Sequence, residues 1–240
     1  MYILFRLAVT LLVCISIVTV AGCSRDTPRD DSPRKGSFNV KSLAKTDIDG
    51  VLDIYVREAR TYLRELMVKL YKRNPRELQK SGHTDIDKNV TRVFDQVHNW
   101  KFDELHGQKS IDAIYLAFDE DYQGDRVLAF TVGLTSMIMM SYGNNTDFYI
   151  LDSVDPQKLY NSARNIEIAV WKLEHNRDSS GELFIYSNSL PDEPPNLSYE
   201  RLFGKLIAVQ DTIAVIIEDK TNRTIKKVIQ QMATAVFLPI

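Results

Sequence analysis

The sequence predicts an all-α protein, a single bundle of about seven helices, with room for one short strand pair. Three observations carry this. Apolar residues recur at spacings of three and four through most of the chain after residue 45. Start signals built from Thr, Asp or Asn precede these runs, and the breaks between them are short.

Ile48, Leu52, Tyr55, Ala59, Leu63, Leu66 and Leu70 mark one face of a long first helix. Thr46-Asp47-Ile48-Asp49 opens it in the capping-box pattern, a hydroxyl followed three residues later by an acid. Asn74-Pro75 interrupts it, because Asn suits the N-cap and Pro the first helical position, so a short helix is expected over 75–81, stopping at Gly82. Thr84-Asp85-Ile86-Asp87 repeats the start signal and opens a helix towards His98. The residues after the two signals do not match, so they are not an internal repeat.

Two helices are expected next, over 110–121 and 124–142. The second, with Val127-Leu128-Ala129-Phe130 and Met137-Ile138-Met139-Met140, is apolar nearly all round and should be the central buried helix. It is short for a membrane span and broken by Thr131, Thr135 and Ser136. Asp155-Pro156 caps a helix carried by Leu159, Ala163, Ile166, Val170 and Leu173. Residues 181–188, with Leu183-Phe184-Ile185-Tyr186, are the candidate strand or hairpin arm, and Pro191, Pro194 and Pro195 make a rigid loop. Leu202, Leu206, Val209, Ile213 and Ile216 define a long helix, and Ile225, Val228, Met232 and Val236 a last one. The apolar run Phe237-Leu238-Pro239-Ile240 is expected to pack against the body.

The N-terminus reads differently. Arg6 supplies a single positive charge, residues 7–20 an apolar run shorter than the roughly 20 residues of a span, and small residues then lead to Cys23. Val20-Ala21-Gly22-Cys23 resembles the lipobox of bacterial lipoproteins. The resemblance implies that residues 1–22 are a cleaved signal peptide, that the Cys23 thiol takes a diacylglycerol, and that the new amine is acylated, commonly with palmitate. Ser24 stands where inner-membrane lipoproteins often carry Asp, which implies the outer membrane, facing the periplasm. Two or three acyl chains hold a protein on a bilayer without a transmembrane helix. Residues 23–45 are rich in Arg, Asp, Pro and Ser and poor in large apolar residues, the composition of a disordered tether to a domain over 46–240. With Cys14 in the signal and Cys23 lipidated, the domain has no thiol for a disulfide and relies on its core. The domain also resembles Gram-negative lipoproteins of no assigned activity, so the resemblance carries over no functional residue beyond Cys23.

The remaining chemistry is sparse. The net charge of −2 calls for no nucleic-acid partner. His98, Asp103, Glu104 and His106 crowd one stretch, and His83 and His175 lie apart, but none shows the HExxH spacing or its relatives, so neither a metal nor a cofactor is expected. Residues 119–125 begin like a calcium loop, yet the twelfth position is Phe130 in place of a bidentate Glu, and an acidic turn with Asp125 near a helix N-terminus accounts for them. Glu167, Glu174 and Glu200 are unmarked as catalytic acids, and no nucleophile elbow or phosphate loop is present, so enzymatic activity is not expected.

Two features stay open. Between residues 57 and 80, eight basic side chains outnumber Glu58, Glu65 and Glu77, and Arg57, Arg60 and Arg64 share one helical face. That face is either a contact for an anionic surface or partner or an ordinary solvated one. The polar helix start at Tyr160-Asn161-Ser162-Ala163-Arg164-Asn165 suits either a buried network or a binding site. The reading that follows is a lipid-anchored, non-enzymatic module binding another envelope protein. The alternative is a carrier of apolar ligands in a pocket lined by Met137, Met139 or Met140.

Overall fold

The computed structural model describes residues 46–82, 85–149, 152–188, 190, 193, 194 and 196–240, all within the unit Val40–Ile240. The lipobox, Cys23, the tether, His83 and Thr84 lie outside the described residues. Among the described residues there are seven α-helices and no strand, so the fold is all-α. In chain order they are α1 Asp47–Arg73, α2 Pro75–Lys80, α3 Ile86–Phe94, α4 Ser110–Ala117, α5 Arg126–Ser141, α6 Pro156–His175 and α7 Ser198–Thr221.

The capping box of α1 forms as its residues predict. The Asp49 carboxylate accepts the Thr46 N–H at 2.7 Å, and Asp49 N–H donates back to the Thr46 hydroxyl at 3.4 Å. Leu52, Ala59, Leu63, Leu66 and Leu70 are buried, with Ile48 and Tyr55 half-buried beside them. Asn74 ends the helix, its amide donating to the Leu70 carbonyl, and Pro75 starts α2. Gly82, at φ 72°, takes the left-handed turn that stops the chain after α2.

α5 is the central helix. Every residue of it except Met140 is buried, and α1, α2, α4 and α6 pack around it. Its hydroxyls bond backward along the helix, Thr135 to the Thr131 carbonyl and Ser136 to that of Val132, which is how polar residues are tolerated there. Gly133 lets α4 approach, since a Cβ at that position would sit 2.8 Å from the Ile114 nitrogen and 2.9 Å from the Ser110 carbonyl oxygen. No described helix is long and apolar enough to cross a membrane.

Four expectations need correction. α3 stops at Phe94, short of His98, because the last carbonyls are taken by side chains: a His98 ring nitrogen bonds that of Val93 and the Arg60 guanidinium that of Phe94. Asn99 and Trp100 then adopt positive φ, outside any helix. α4 stops at Ala117, four residues early, where the Arg126 guanidinium gathers the carbonyls of Ala117, Asp119 and Tyr122. Residues 181–188 form no strand, only an isolated bridge between Arg177 and Leu183.

The last helix does not form either. After Asn222, at φ 52°, the chain runs without regular structure apart from a single 3-10 turn, Met232–Thr234. The main chain of this tail is held by side chains of α6 in place of a helical ladder. Gln157 brackets Lys226, accepting its N–H at 2.7 Å and donating to its carbonyl at 3.1 Å. The Tyr160 hydroxyl does the same for Val228 at 3.1 and 3.3 Å, and the Asn165 amide for Leu238 at 2.6 and 2.8 Å. Asn161 donates to the Pro239 carbonyl at 2.8 Å. Phe237 is buried edge-on to Tyr115, with ring centroids 5.3 Å apart, so the apolar end does pack on the body.

Candidate functional site: an arginine groove on α1

One flank of α1, beside its buried stripe, spaces Asp53, Arg57, Arg60 and Arg64 at four, three and four residues, which stacks them along one side of the helix. The end of α3 and the loop after α5 lie against this face. Together they enclose an open groove of about 440 Å³, lined by Asp53, Arg57, Arg60, Arg64, Asp95 and Asp147 with Val56, Phe94 and two threonines. The loop is fixed by Phe148, whose N–H donates to the Asp53 carboxylate at 2.9 Å and whose ring is buried. The three arginines singled out from sequence therefore line one concavity rather than a flat face.

Their roles within it differ. Arg64 forms a two-pronged pair with Asp95, both N–H···O distances 2.8 Å, and its guanidinium lies 5.9 Å from the Phe94 ring. The pair holds the Asp95 carboxyl below its ordinary range, but both groups are half open to water, so it contributes less than about 1 kcal/mol. Arg60 is half-buried and spends one donor on the Phe94 carbonyl, joining α1 to the end of α3. Burial lowers its pKa and Asp95 opposes that, so it stays a cation with donors to spare. The Arg57 guanidinium is exposed and makes no hydrogen bond or ion pair among the described residues. Two of the three arginines thus also hold the fold, and Arg57 is the one left over.

A second polar cluster went unnoticed in the sequence because nothing in its spacing marks it. The N-cap of α5, Asp125, is buried, accepting the Leu128 N–H at 2.9 Å and the Tyr71 hydroxyl at 2.7 Å. Burial raises its pKa to about 7 against the lowering effect of those bonds. Asn89 donates to the Tyr71 oxygen at 2.7 Å, and its own carbonyl oxygen is buried with no partner among the described residues. Glu77 accepts the Arg126 N–H at 2.8 Å and Lys80 at 2.6 Å. The cluster ties α1, α2, α3 and α5 together inside the core. An Asp before an apolar helix predicts a cap, and only the packing of Tyr71 shows that the cap is dry.

The other residues considered from sequence are dispersed. The His98 ring packs against Trp100 and Phe102, with centroids 4.8 and 4.7 Å away, Glu104 pairs with Arg92, and His175 stacks on Trp171. Glu167 and Asp211 flank one cation, Arg164, at 3.1 and 2.6 Å, and burial raises both carboxyls. Glu174 accepts the Asn188 amide at 2.7 Å. Glu200 lies in the first turn of α7. Within the polar start of α6, Tyr160, Asn161 and Asn165 hold the tail, while Ser162 bonds Gln210 of α7 at 3.0 Å. Comparison with known proteins returns no matching family model, no matching curated protein and no matching solved structure.

Proposed function

We propose that this protein is a lipid-anchored, non-enzymatic binding module of the bacterial outer membrane, held through Cys23, that grips an anionic group of another envelope protein in the α1 groove. The observation that carries this reading is the groove itself, in which the Arg57 guanidinium has no partner among the described residues and Arg60 and Arg64, next along the same face, supply fixed cations. The donors of the Arg57 guanidinium are unspent, and their planar fork matches both oxygens of a carboxylate at once. Asp53 and Asp147 at one end leave the groove polar in both senses, which disfavours a long polyanion and favours a short charged group. The carrier alternative gains nothing from the core, where Met137 and Met139 are packed at 0% and 2% exposure.

Two variants test the two halves separately. With Cys23→Ser, the protein should leave the membrane fraction for the soluble one on detergent-phase partitioning, and unchanged partitioning overturns the anchor. With Arg57→Glu, binding of a hexaglutamate peptide at low salt should weaken at least fivefold while the melting temperature stays put, because the Arg57 side chain bonds nothing among the described residues. Binding should also weaken as salt rises, since exposed charges are screened over about 8 Å at physiological ionic strength. Wild-type binding that neither salt nor Arg57→Glu alters would remove the groove from the reading.

A further inference from the structure

Residues 223–231, Arg-Thr-Ile-Lys-Lys-Val-Ile-Gln-Gln, are rich in β-branched residues and are tied along one edge by side chains of α6. Gln157 and Tyr160 each bond both the N–H and the carbonyl of one tail residue, Lys226 and Val228 respectively. Those residues are two apart. In an extended chain the main-chain groups of alternate residues share an edge, and the residues between them face the opposite way. Lys227 and Ile229 therefore turn their N–H and carbonyl groups outward, and among the described residues those groups make no hydrogen bond.

The side chains on this edge are unusually open for their type. Ile229 is 99% exposed and Val228 39%. A hollow of about 190 Å³ adjoins them, lined by Ile168, Val228, Ile229 and Met232 together with Gln230 and the paired Arg164 and Glu167. Arg223, Lys226 and Lys227 are exposed cations on the same segment, and no ion pair engages them among the described residues. Of the two acids that end α7, Glu218 is taken by the Ile225 N–H at 2.7 Å, and Asp219 makes no ion pair with the segment among the described residues.

We propose that this outer edge docks an extended, acidic segment of a partner protein, which joins it as a second strand. The proposal is independent of the arginine groove. The bonding follows from the two free outward residues, and the apolar grip from Val228 and Ile229. The charge decides the occupant. A second copy pairing antiparallel about Ile229 would bring two sets of three cations onto one ribbon, whereas an acidic segment neutralises the set. Cross-strand pairing then specifies the order: running antiparallel, the segment places two β-branched residues against Ile229 and Val228 and, after them, two acids against Lys227 and Lys226.

The test uses the full chain in detergent with Arg57→Glu, so that the groove does not contribute, and a fluorescent, end-blocked peptide Thr-Val-Val-Glu-Glu-Thr. Saturable binding is expected by anisotropy. Ile229→Pro deletes an outward N–H, leaves the inward bonds of Lys226 and Val228, and asks Val228 only for the extended conformation. It should weaken binding at least tenfold, as should N-methylation of the peptide's two valines, which leaves the protein untouched. Combined Lys226→Glu and Lys227→Glu should transfer preference to Thr-Val-Val-Lys-Lys-Thr. Absence of binding at millimolar peptide, or binding indifferent to both the proline and the N-methyl groups, overturns the proposal. Concentration-dependent self-association of the wild-type chain that Ile229→Pro abolishes also overturns it, and assigns the edge to a second copy.

Discussion

Gly133→Ala is expected to lower the melting temperature by several degrees, while Gly204→Ala raises it. Both glycines lie inside helices, where alanine is favoured by roughly 1 kcal/mol. At Gly204 nothing lies within 4 Å of the added Cβ, so that gain is realised in full. At Gly133 the Cβ would stand 2.7 Å from Ile114 Cγ1, 2.8 Å from the Ile114 nitrogen and 2.9 Å from the Ser110 carbonyl oxygen. Two of those three atoms are backbone, so relief requires α4 to shift away from α5. Overpacking of this kind costs about 1–3 kcal/mol, which exceeds the helical gain. For a domain of this size each kcal/mol moves the melting temperature by about 2–4 °C. Paired thermal melts of the two variants measure the contrast, and a Gly133→Ala protein as stable as Gly204→Ala would show that the α4–α5 contact is looser than its geometry.

The second large effect is on the pH dependence of stability. Asp125 in the folded state titrates near 7 because burial opposes its charge, against an ordinary value of about 4 when unfolded. Between those two values the folded chain holds a proton that the unfolded chain has released. This group therefore contributes stability that is full below about pH 4 and lost as pH rises through 7, on the order of 4 kcal/mol across the window. Asp125→Asn removes that dependence. Its carbonyl oxygen still accepts the Leu128 N–H, and its amide donates to the Tyr71 oxygen. A flip of the Asn89 amide, which now donates to that oxygen, presents its carbonyl oxygen to the Tyr71 hydroxyl instead. Urea unfolding at pH 5 and pH 8 should find the variant gaining on wild type as pH rises, and ahead of it at pH 8. A constant offset between the two proteins at both pH values would show that Asp125 is ionised throughout.

How much of this was legible beforehand depends on the range of the interaction. α1 was readable to its cap because Thr46 and Asp49 are three residues apart and its stripe is regular. α5 was readable because fifteen of its sixteen residues are buried, a condition its composition states directly. The tail was misread for a physical reason. Ile225, Val228, Met232 and Val236 have helical spacing, but the helix that would use it loses to hydrogen bonds from Gln157, Tyr160 and Asn165, more than sixty residues away in sequence. Conversely, the polar start of α6 looked ambiguous because Tyr160, Asn161 and Asn165 are partnered by main-chain atoms of the tail, which leave no trace in side-chain patterns. In the groove, the alignment of Arg57, Arg60 and Arg64 follows from helical geometry alone. Their division into one free and two engaged cations depends on where Phe94 and Asp95 come to rest, and only the fold decides that.

The side-chain brackets also divide the molecule into parts that open separately. Each helix carries its own ladder of main-chain bonds, whereas from Lys226 to Pro239 the tail is tied to α6 by single side chains, one residue at a time. Lifting it uncovers the Ile225 and Phe237 side chains and breaks those ties without disturbing a helical turn, so the tail is a unit of sub-global opening less costly than global unfolding. Solvent exchange along it follows the alternation of its two edges. The amides of Lys226 and Val228 wait for the tail to lift, and those of Lys227 and Ile229 meet water in the closed state.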